Sequence, residues 1–347
     1  MSRRRGAALT GLACLVLLAG CTDDDPGAGG VDSWPTTETP VDADGLVWAS
    51  GSEVHLPDGT TIDTGDLAGA YVVAGPGVWF ASAEPGDLEQ NGLPELRLAT
   101  PDGVEGTGAH PGIGSLTTTP DGRWLAFVDR VDGGAGAAEA VVVDLSSGEE
   151  VVRSDEGLVP DDTGDIDWTD LYEDAPVTML GIVGDTAYVR GLGEVLAHDL
   201  STGEVESFDL SGTDLVEQEW FRTLHPPAPL WNAARSWSIL AQDFSEPVTV
   251  LESAGGERVT TSVPVSTATP DGPRLEEWVV GGWLDDDTAV AITPSQDGRD
   301  ESWTVPALLT CGVPSGECTV LPGTEAGVNL PVDRPFGVPR ERSLEPS

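Results

Sequence analysis

The sequence predicts an all-β fold, a six-bladed β-propeller of four-stranded antiparallel blades. Three observations carry that expectation. First, Gly (44) and Pro (27) make up about a fifth of the 347 residues, while 39% of residues are hydrophobic and eleven are Trp. That mix suits many short strands joined by tight turns and not a helical bundle, where interior Gly and Pro are penalised. Second, hairpin-like segments recur, each turning on a dipeptide that ends in Gly. Third, these turns fall 44, 45, 55, 53 and 60 residues apart. A period near 45 with insertions is the repeat of a four-stranded blade.

The first blade opens at Leu46–Ala49 and continues through a hairpin over 54–64 that turns at Asp58-Gly59. The second pairs a hairpin over 71–80 (Pro76-Gly77) with one over 96–107 (Asp102-Gly103), and the third pairs 115–128 (Asp121-Gly122) with 141–153 (Ser147-Gly148). The fourth takes 177–189 (Gly184-Asp185) and 195–208 (Thr202-Gly203), and the fifth takes 230–240 (Ala234-Arg235) and 248–262 (Gly255-Gly256). The sixth takes 278–292 (Asp286-Asp287) and 308–321 (Ser315-Gly316). Gly at the second turn position supplies the positive φ that a tight hairpin needs. The first blade lacks an innermost strand of its own. Residues 328–332 are apolar enough to supply it, closing the ring and removing a free sheet edge. Seven blades, with one hidden in a long insertion, and two β-sandwiches are the competing architectures.

Within the third blade, Thr118-Thr119-Pro120-Asp121-Gly122-Arg123-Trp124-Leu125-Ala126-Phe127-Val128 resembles the S-P-D-G-x-x-[ILV]-A-[FY] repeat of TolB-like propellers, relatives of the tryptophan-aspartate repeat. Pro and Asp set the turn, and alternating Leu125 and Phe127 point together into the space between blades. The resemblance implies a rigid platform for binding proteins or ligands.

The amino terminus reads as an address. Arg3, Arg4 and Arg5 precede an apolar run too short to span a bilayer, and Leu18-Ala19-Gly20-Cys21 resembles the bacterial lipobox. That resemblance implies cleavage after Gly20, a lipid anchor on Cys21 and an extracytoplasmic location on the outer face of the cell membrane. The expected organisation is a signal peptide over 1–20, a lipidated Cys and flexible acidic tether over 21–45, the propeller over 46–337 and a disordered tail over 338–347. Trp34, an isolated aromatic in the tether, could dock on the domain, but such a residue in a linker is more often exposed.

Charge and cysteine narrow the partners. Sixty acidic residues against sixteen Arg, with no Lys, give a net charge of -44. That disfavours nucleic acid, whose phosphates require basic contacts. Cys14 leaves with the signal peptide. Cys311 and Cys318 flank the turn of the last hairpin, where opposed strand positions come within disulfide reach, and an exported protein is oxidised.

Candidate sites are sparse. Asp165, Asp167 and Asp170 offer alternate oxygens that would suit calcium, yet the EF-hand Gly and terminal Glu are missing, and an acidic run usually forms a solvated loop. No cofactor motif is present. His55 and His198 fall on third strands and His110 precedes Pro111, positions that suit structure better than catalysis. The long segment 211–231 gathers Trp220, Phe221, Arg222, His225 and Trp231, which together could form a sugar- or peptide-binding platform or could simply fill space between blades four and five. The resulting expectation is a non-enzymatic lipoprotein scaffold that binds an envelope protein or small ligand. The alternative is an extracytoplasmic hydrolase or lyase acting on carbohydrate or peptide.

Overall fold

A computed structural model describes residues 33–338 apart from 67–68, 83–92, 113, 131–135, 161–166, 210–214, 226–228, 241–249, 263–277, 294–303, 306, 325–326 and 335. The expected signal peptide, Cys21, Asp165 and all but the first residue of the expected tail lie outside the described residues.

Six antiparallel sheets follow one another along the chain, each opened by the hairpins anticipated above. The first contains β1 (Trp48–Ser50), β2 (Glu53–His55) and β3 (Thr61–Asp63). The second holds β4 (Ala70–Ala74), β5 (Gly77–Ala81), β6 (Leu96–Thr100) and β7 (Gly103–Gly106). The third holds β8 (Thr117–Thr118), β9 (Trp124–Arg130), β10 (Ala138–Asp144) and β11 (Glu149–Ser154). A short helix, α1 (Trp168–Asp174), leads to the fourth: β12 (Thr178–Val183), β13 (Thr186–Arg190), β14 (Glu194–Asp199) and β15 (Val205–Asp209). A second helix, α2 (Glu219–Leu224), precedes the fifth: β16 (Leu230–Trp231), β17 (Trp237–Ile239), β18 (Val250–Ser253) and β19 (Arg258–Thr260). The sixth holds β20 (Val279–Trp283), β21 (Thr288–Ile292), β23 (Leu308–Gly312) and β24 (Cys318–Val320). Between β21 and β23 the chain leaves this sheet as β22 (Thr304–Val305), and β25 (Val328–Asn329) ends the series. The protein is a six-bladed β-propeller.

The ring closes as the sequence suggests. β25 pairs antiparallel with β1 through Ala49 and Asn329, so the segment after the sixth blade supplies the strand that lies inside β1 in the first blade. That blade also gains a strand that the sequence did not reveal: β22 pairs with the other edge of β25, making five strands instead of four. Covering the edge satisfies backbone groups that would otherwise lie open.

Alternation along the strands builds the cores between blades. On β9, Leu125 and Phe127 face Val72, Trp79 and Leu98 of the second blade. Trp124, Ala126 and Val128 face the other way, toward Met179, Ile182 and Val189 of the fourth. Similar apolar layers join blades one and two, five and six, and six and one. Fourth strands such as β7, β15 and β19 are mostly exposed, as outer edges should be.

The turns are held by their own side chains. Thr119 Oγ1 donates to Asp121 Oδ1 (2.6 Å), Arg123 N donates to the same oxygen (3.1 Å), and Gly122 sits at φ 67°. On the last hairpin Cys311 and Cys318 are directly opposed, with Cα atoms 4.0 Å apart, and form the expected disulfide.

Trp34 corrects the expectation of a free tether. It is only 4% exposed and lies against Trp79 and Phe127, each 5.8 Å away between ring centroids. Its Nε1 donates to Glu150 Oε1 (2.7 Å). Thr37 N then bonds Leu145 O (3.2 Å) and Val41 N bonds Gly75 O (2.8 Å), strapping the segment across blades two and three. An indole ring next to an exposed gap between apolar sheets buries more surface by docking than it loses in chain entropy. Replacing Trp34 with Ala should cost about 3 kcal/mol, as for other large buried aromatics, and should expose residues 35–45 to limited proteolysis. An unchanged melting midpoint and cleavage pattern would show that the strap contributes nothing.

Candidate functional site

The innermost strands neighbour one another around the axis, β4 beside β8, β8 beside β12, and β16 beside β20. At this level lies an open cavity of about 290 Å³, lined by described residues from four directions. β8 and its flanks contribute Leu116, Thr117, Thr118 and Pro120. β12 contributes Thr178, Met179, Leu180 and Ile182. The end of α2 contributes Thr223, Leu224 and His225, and the segment after β25 contributes Val332, Asp333 and Arg334.

Local irregularities shape these walls. The register of β12 against β13 shifts between Met179 and Gly181, leaving Leu180 without a strand partner and turned to the cavity. Gly181 has φ 145°, and a Cβ there would sit 2.6 Å from Leu224 Cδ2, so the missing side chain lets α2 lie against the strand. Beyond β25, Val332 N bonds Tyr71 O (3.0 Å) and Arg334 N bonds Pro331 O (3.0 Å), fixing a turn that carries Asp333 inward.

Asp333 is the unusual group. Its side chain is 7% exposed. Oδ2 accepts from Thr118 Oγ1 (2.7 Å), while Oδ1 is buried and accepts no hydrogen bond from the protein. The nearest cation, Arg334 Nε, is 4.0 Å from Oδ1, and the Nη1 of that arginine donates to Ala43 O in the amino-terminal strap. Burial pushes the Asp333 carboxyl above its ordinary value, against the opposing pull of Arg334 and Thr118. The buried Tyr71 hydroxyl, which donates to Asn329 O (3.0 Å), is pushed up by burial and secondarily by Asp333.

Of the five residues expected to form a platform, only His225 reaches this cavity. Trp220 is 7% exposed and stacks on Tyr188 at 4.3 Å, with Phe208 at 6.3 Å, covering the face of the fourth blade that points away from the third. Its ring faces are therefore occupied, and it fills space instead of presenting a surface. Phe221 packs edge-on against Trp220, Arg222 is exposed outside the cavity lining, and Trp231 is half-buried on β16. The acidic run behaves similarly. Asp167 caps α1 by accepting from Thr169 N (3.0 Å) and Asp170 N (3.4 Å), and Asp170 is exposed in the first turn. Among the described residues no cluster of three His, Cys, Asp or Glu side chains is placed to hold a metal ion.

The other histidines have structural surroundings. His55 stacks on Trp48 at 3.8 Å, His110 Nδ1 lies 3.0 Å from Leu93 O, and His198 is buried, with burial lowering its pKa. Sequence reasoning missed Thr118, Asp333 and Arg334 as a group. The two partners of the Thr118–Asp333 bond lie 215 residues apart, and no spacing motif joins them.

The raised pKa of Asp333 has a defined sign. Folding disfavours the ionised form, so the cost is absent below the ordinary carboxylate range and appears as pH rises through the folded-state value. Asp333→Asn should therefore raise the thermal midpoint near pH 7.5 and lose that advantage toward pH 4, with Arg334, Tyr71 and His225 unchanged beside it. A uniform loss of stability at every pH would make Asp333 a plain ion-pair partner of Arg334.

No protein-family model and no curated protein matches this sequence. Among solved structures it is similar to TolB from Acinetobacter baumannii, at 14% identity over 84% of this chain and 67% of that one, with a TM-score of 0.36. It is also similar to an oligogalacturonate lyase from Vibrio parahaemolyticus, at 8% identity over 84% and 77% of the two chains, with a TM-score of 0.32. The six-bladed architecture itself stands on the strand pairings described above.

Proposed function

We propose that this chain is an extracytoplasmic lipoprotein, held at the outer face of the cell membrane through Cys21, whose propeller is a non-enzymatic binding platform. The axial cavity carries the binding part of this reading. It brings the apolar residues Met179, Leu180, Ile182 and Val332 together with Thr117, Thr178, Thr223, His225 and Asp333. Binding sites commonly combine apolar walls with a few converging polar groups. Among the described residues the lining holds one carboxylate, whereas glycoside hydrolysis by the usual route needs two. The lipobox at Leu18-Ala19-Gly20-Cys21 and the Cys311–Cys318 disulfide support an oxidising location outside the cytoplasm.

Two measurements test this reading. Cell fractionation should find the wild-type chain with the membrane and Cys21→Ser released from it or retained as an uncleaved precursor; identical behaviour of the two would remove the anchor. For the cavity, thermal melts of the detergent-solubilised chain should be run against panels of sugars, short peptides, amines and carboxylates. At least one class should raise the midpoint, by an amount that grows with concentration above the Kd. The same class should have no effect on Thr223→Trp, which fills the cavity from α2. Equal responses of both proteins to every class would remove the cavity as a binding site.

A further inference from the structure

We propose that the strap ahead of the first blade is an O-glycosylation site, in which the hydroxyls of Thr36 and Thr39 accept hexose units. This goes beyond the binding reading above and rests only on the extracytoplasmic location in it.

The residue pattern is that of a sugar acceptor. Pro35-Thr36-Thr37-Glu38-Thr39-Pro40 packs three Thr and two Pro into six residues. Stretches rich in Thr and Pro are the composition of O-glycosylated stalks. Proline lacks an N–H and fixes φ, so such a stretch stays out of helices and sheets, where a transferase can bind it as an extended chain. The fold agrees: among the described residues neither helix nor strand precedes β1.

The folded chain sorts the three threonines. Thr37 Oγ1 donates to Thr39 O (2.9 Å) and accepts from Thr39 N (3.1 Å), so its hydroxyl is committed to the local turn. Thr36 and Thr39 are exposed, and neither hydroxyl has a hydrogen-bond partner among the described residues. The methyl of Thr36 is what meets the protein: a Cβ on Gly148, in the turn between β10 and β11, would lie 2.8 Å from its Cγ2. Buried Trp34 on one side and the bond from Val41 N to Gly75 O (2.8 Å) on the other hold the backbone against the propeller. The two hydroxyls stay on the outside, where an added sugar displaces nothing. Thr64 and Thr324 show the opposite case, buried with hydroxyls bonded to Ser52 O (2.9 Å) and Leu321 O (2.7 Å).

The chemistry is a glycosyl transfer by a separate transferase, with a glycosyl phosphate as donor. The threonine Oγ1 forms a bond to the anomeric carbon, and the bond from that carbon to the phosphate oxygen breaks. The hydroxyl proton passes to a base on the transferase, the phosphate departs on its carrier, and nothing is oxidised or reduced. The product is a neutral, bulky and solubilising group on the strap.

The test is mass spectrometry of the full chain recovered from its own cells, intact and after cleavage behind Glu38, which separates Thr36 and Thr37 from Thr39. Fragmentation that keeps sugars attached should find whole hexose units on Thr36, on Thr39 or on both, and none on Thr37. The double variant Thr36→Val, Thr39→Val should lose every such unit from this segment, whereas Thr37→Val should keep them. Both peptides at their unmodified mass in the wild-type chain would overturn the proposal. So would hexose on Thr37 alone, or hexose on this segment that persists in the double variant. The same spectra report the lipid on Cys21 and keep the two readings apart. Bare threonines on a lipidated chain would remove the glycosylation and leave the extracytoplasmic location standing. Bare threonines on a chain that still carries residues 1–20 and no lipid would remove both.

Discussion

The pairing of β25 with β1 is the interaction on which the rest of this molecule depends. Six sheets in sequence can pack face to face, but the first and last gain neighbours only if the ring closes. Here the register Ala49 to Asn329 joins residues separated by almost the whole propeller. Closure brings Val328 and Leu330 against Val290 and Leu308 of the sixth blade and Trp48 of the first. It also lets the Tyr71 hydroxyl reach Asn329 O and lets Val332 N reach Tyr71 O, tying the second blade to the closing segment. Asp333 is buried at the cavity because that segment must turn immediately after the closing strand. The candidate site is thus a by-product of ring closure, and anything that loosens β25 will disturb it.

Close approach between blades demands local concessions. Two innermost strands, β12 and β20, each have a register shift, beside Gly181 in one and beside Gly282 in the other. In both, a bulky side chain lies where a Cβ would stand: Leu224 against Gly181, and Val338 and Phe336 against Gly282. The gap on the outer face of the fourth blade is met differently. Tyr188 and Phe208 point away from the third blade, and α2 lays Trp220 over them. A helix inserted before the fifth blade does there what aliphatic strands do at other interfaces.

How much of this was legible follows from distance along the chain. Hairpins are local, so Asp58-Gly59 and Asp121-Gly122 announced their turns, and opposed strand positions announced the Cys311–Cys318 bond. Closure was legible because apolar residues at 328–332 had a vacant place to fill. Trp34 was not, since its partner Glu150 lies 116 residues away and nothing near Trp34 in sequence shows that a gap between Trp79 and Phe127 awaits it. For the same reason the aromatic cluster at 220–231 left two readings open, a platform or a filler between blades four and five. Composition alone does not choose between them, because whether the indole is presented or buried depends on Tyr188, in a blade already formed.

The acidity of the chain explains why the one distinctive carboxylate was hidden. Many of the acids hold turns: Asp58 accepts from Thr60 N (2.7 Å), Asp144 from Ser146 N (2.9 Å), and Asp199 from both Ser201 N and Thr202 N (2.9 Å each). Hydrogen bonds to the charged form pull such groups down, Asp199 to about 2, and keep them ionised at neutral pH. Others balance Arg153, which binds Asp129, Glu139 and Glu150 together. Asp333 differs from Asp58, Asp144 and Asp199 in the direction of its shift. Burial raises it, and the pull of Arg334 and the hydrogen bonds from Thr118 and the Asp333 backbone do not offset that cost. Sixty acids look alike in a sequence. In the folded molecule the surroundings of each one separate the exposed carboxylates that hold a turn from the one that ring closure buries.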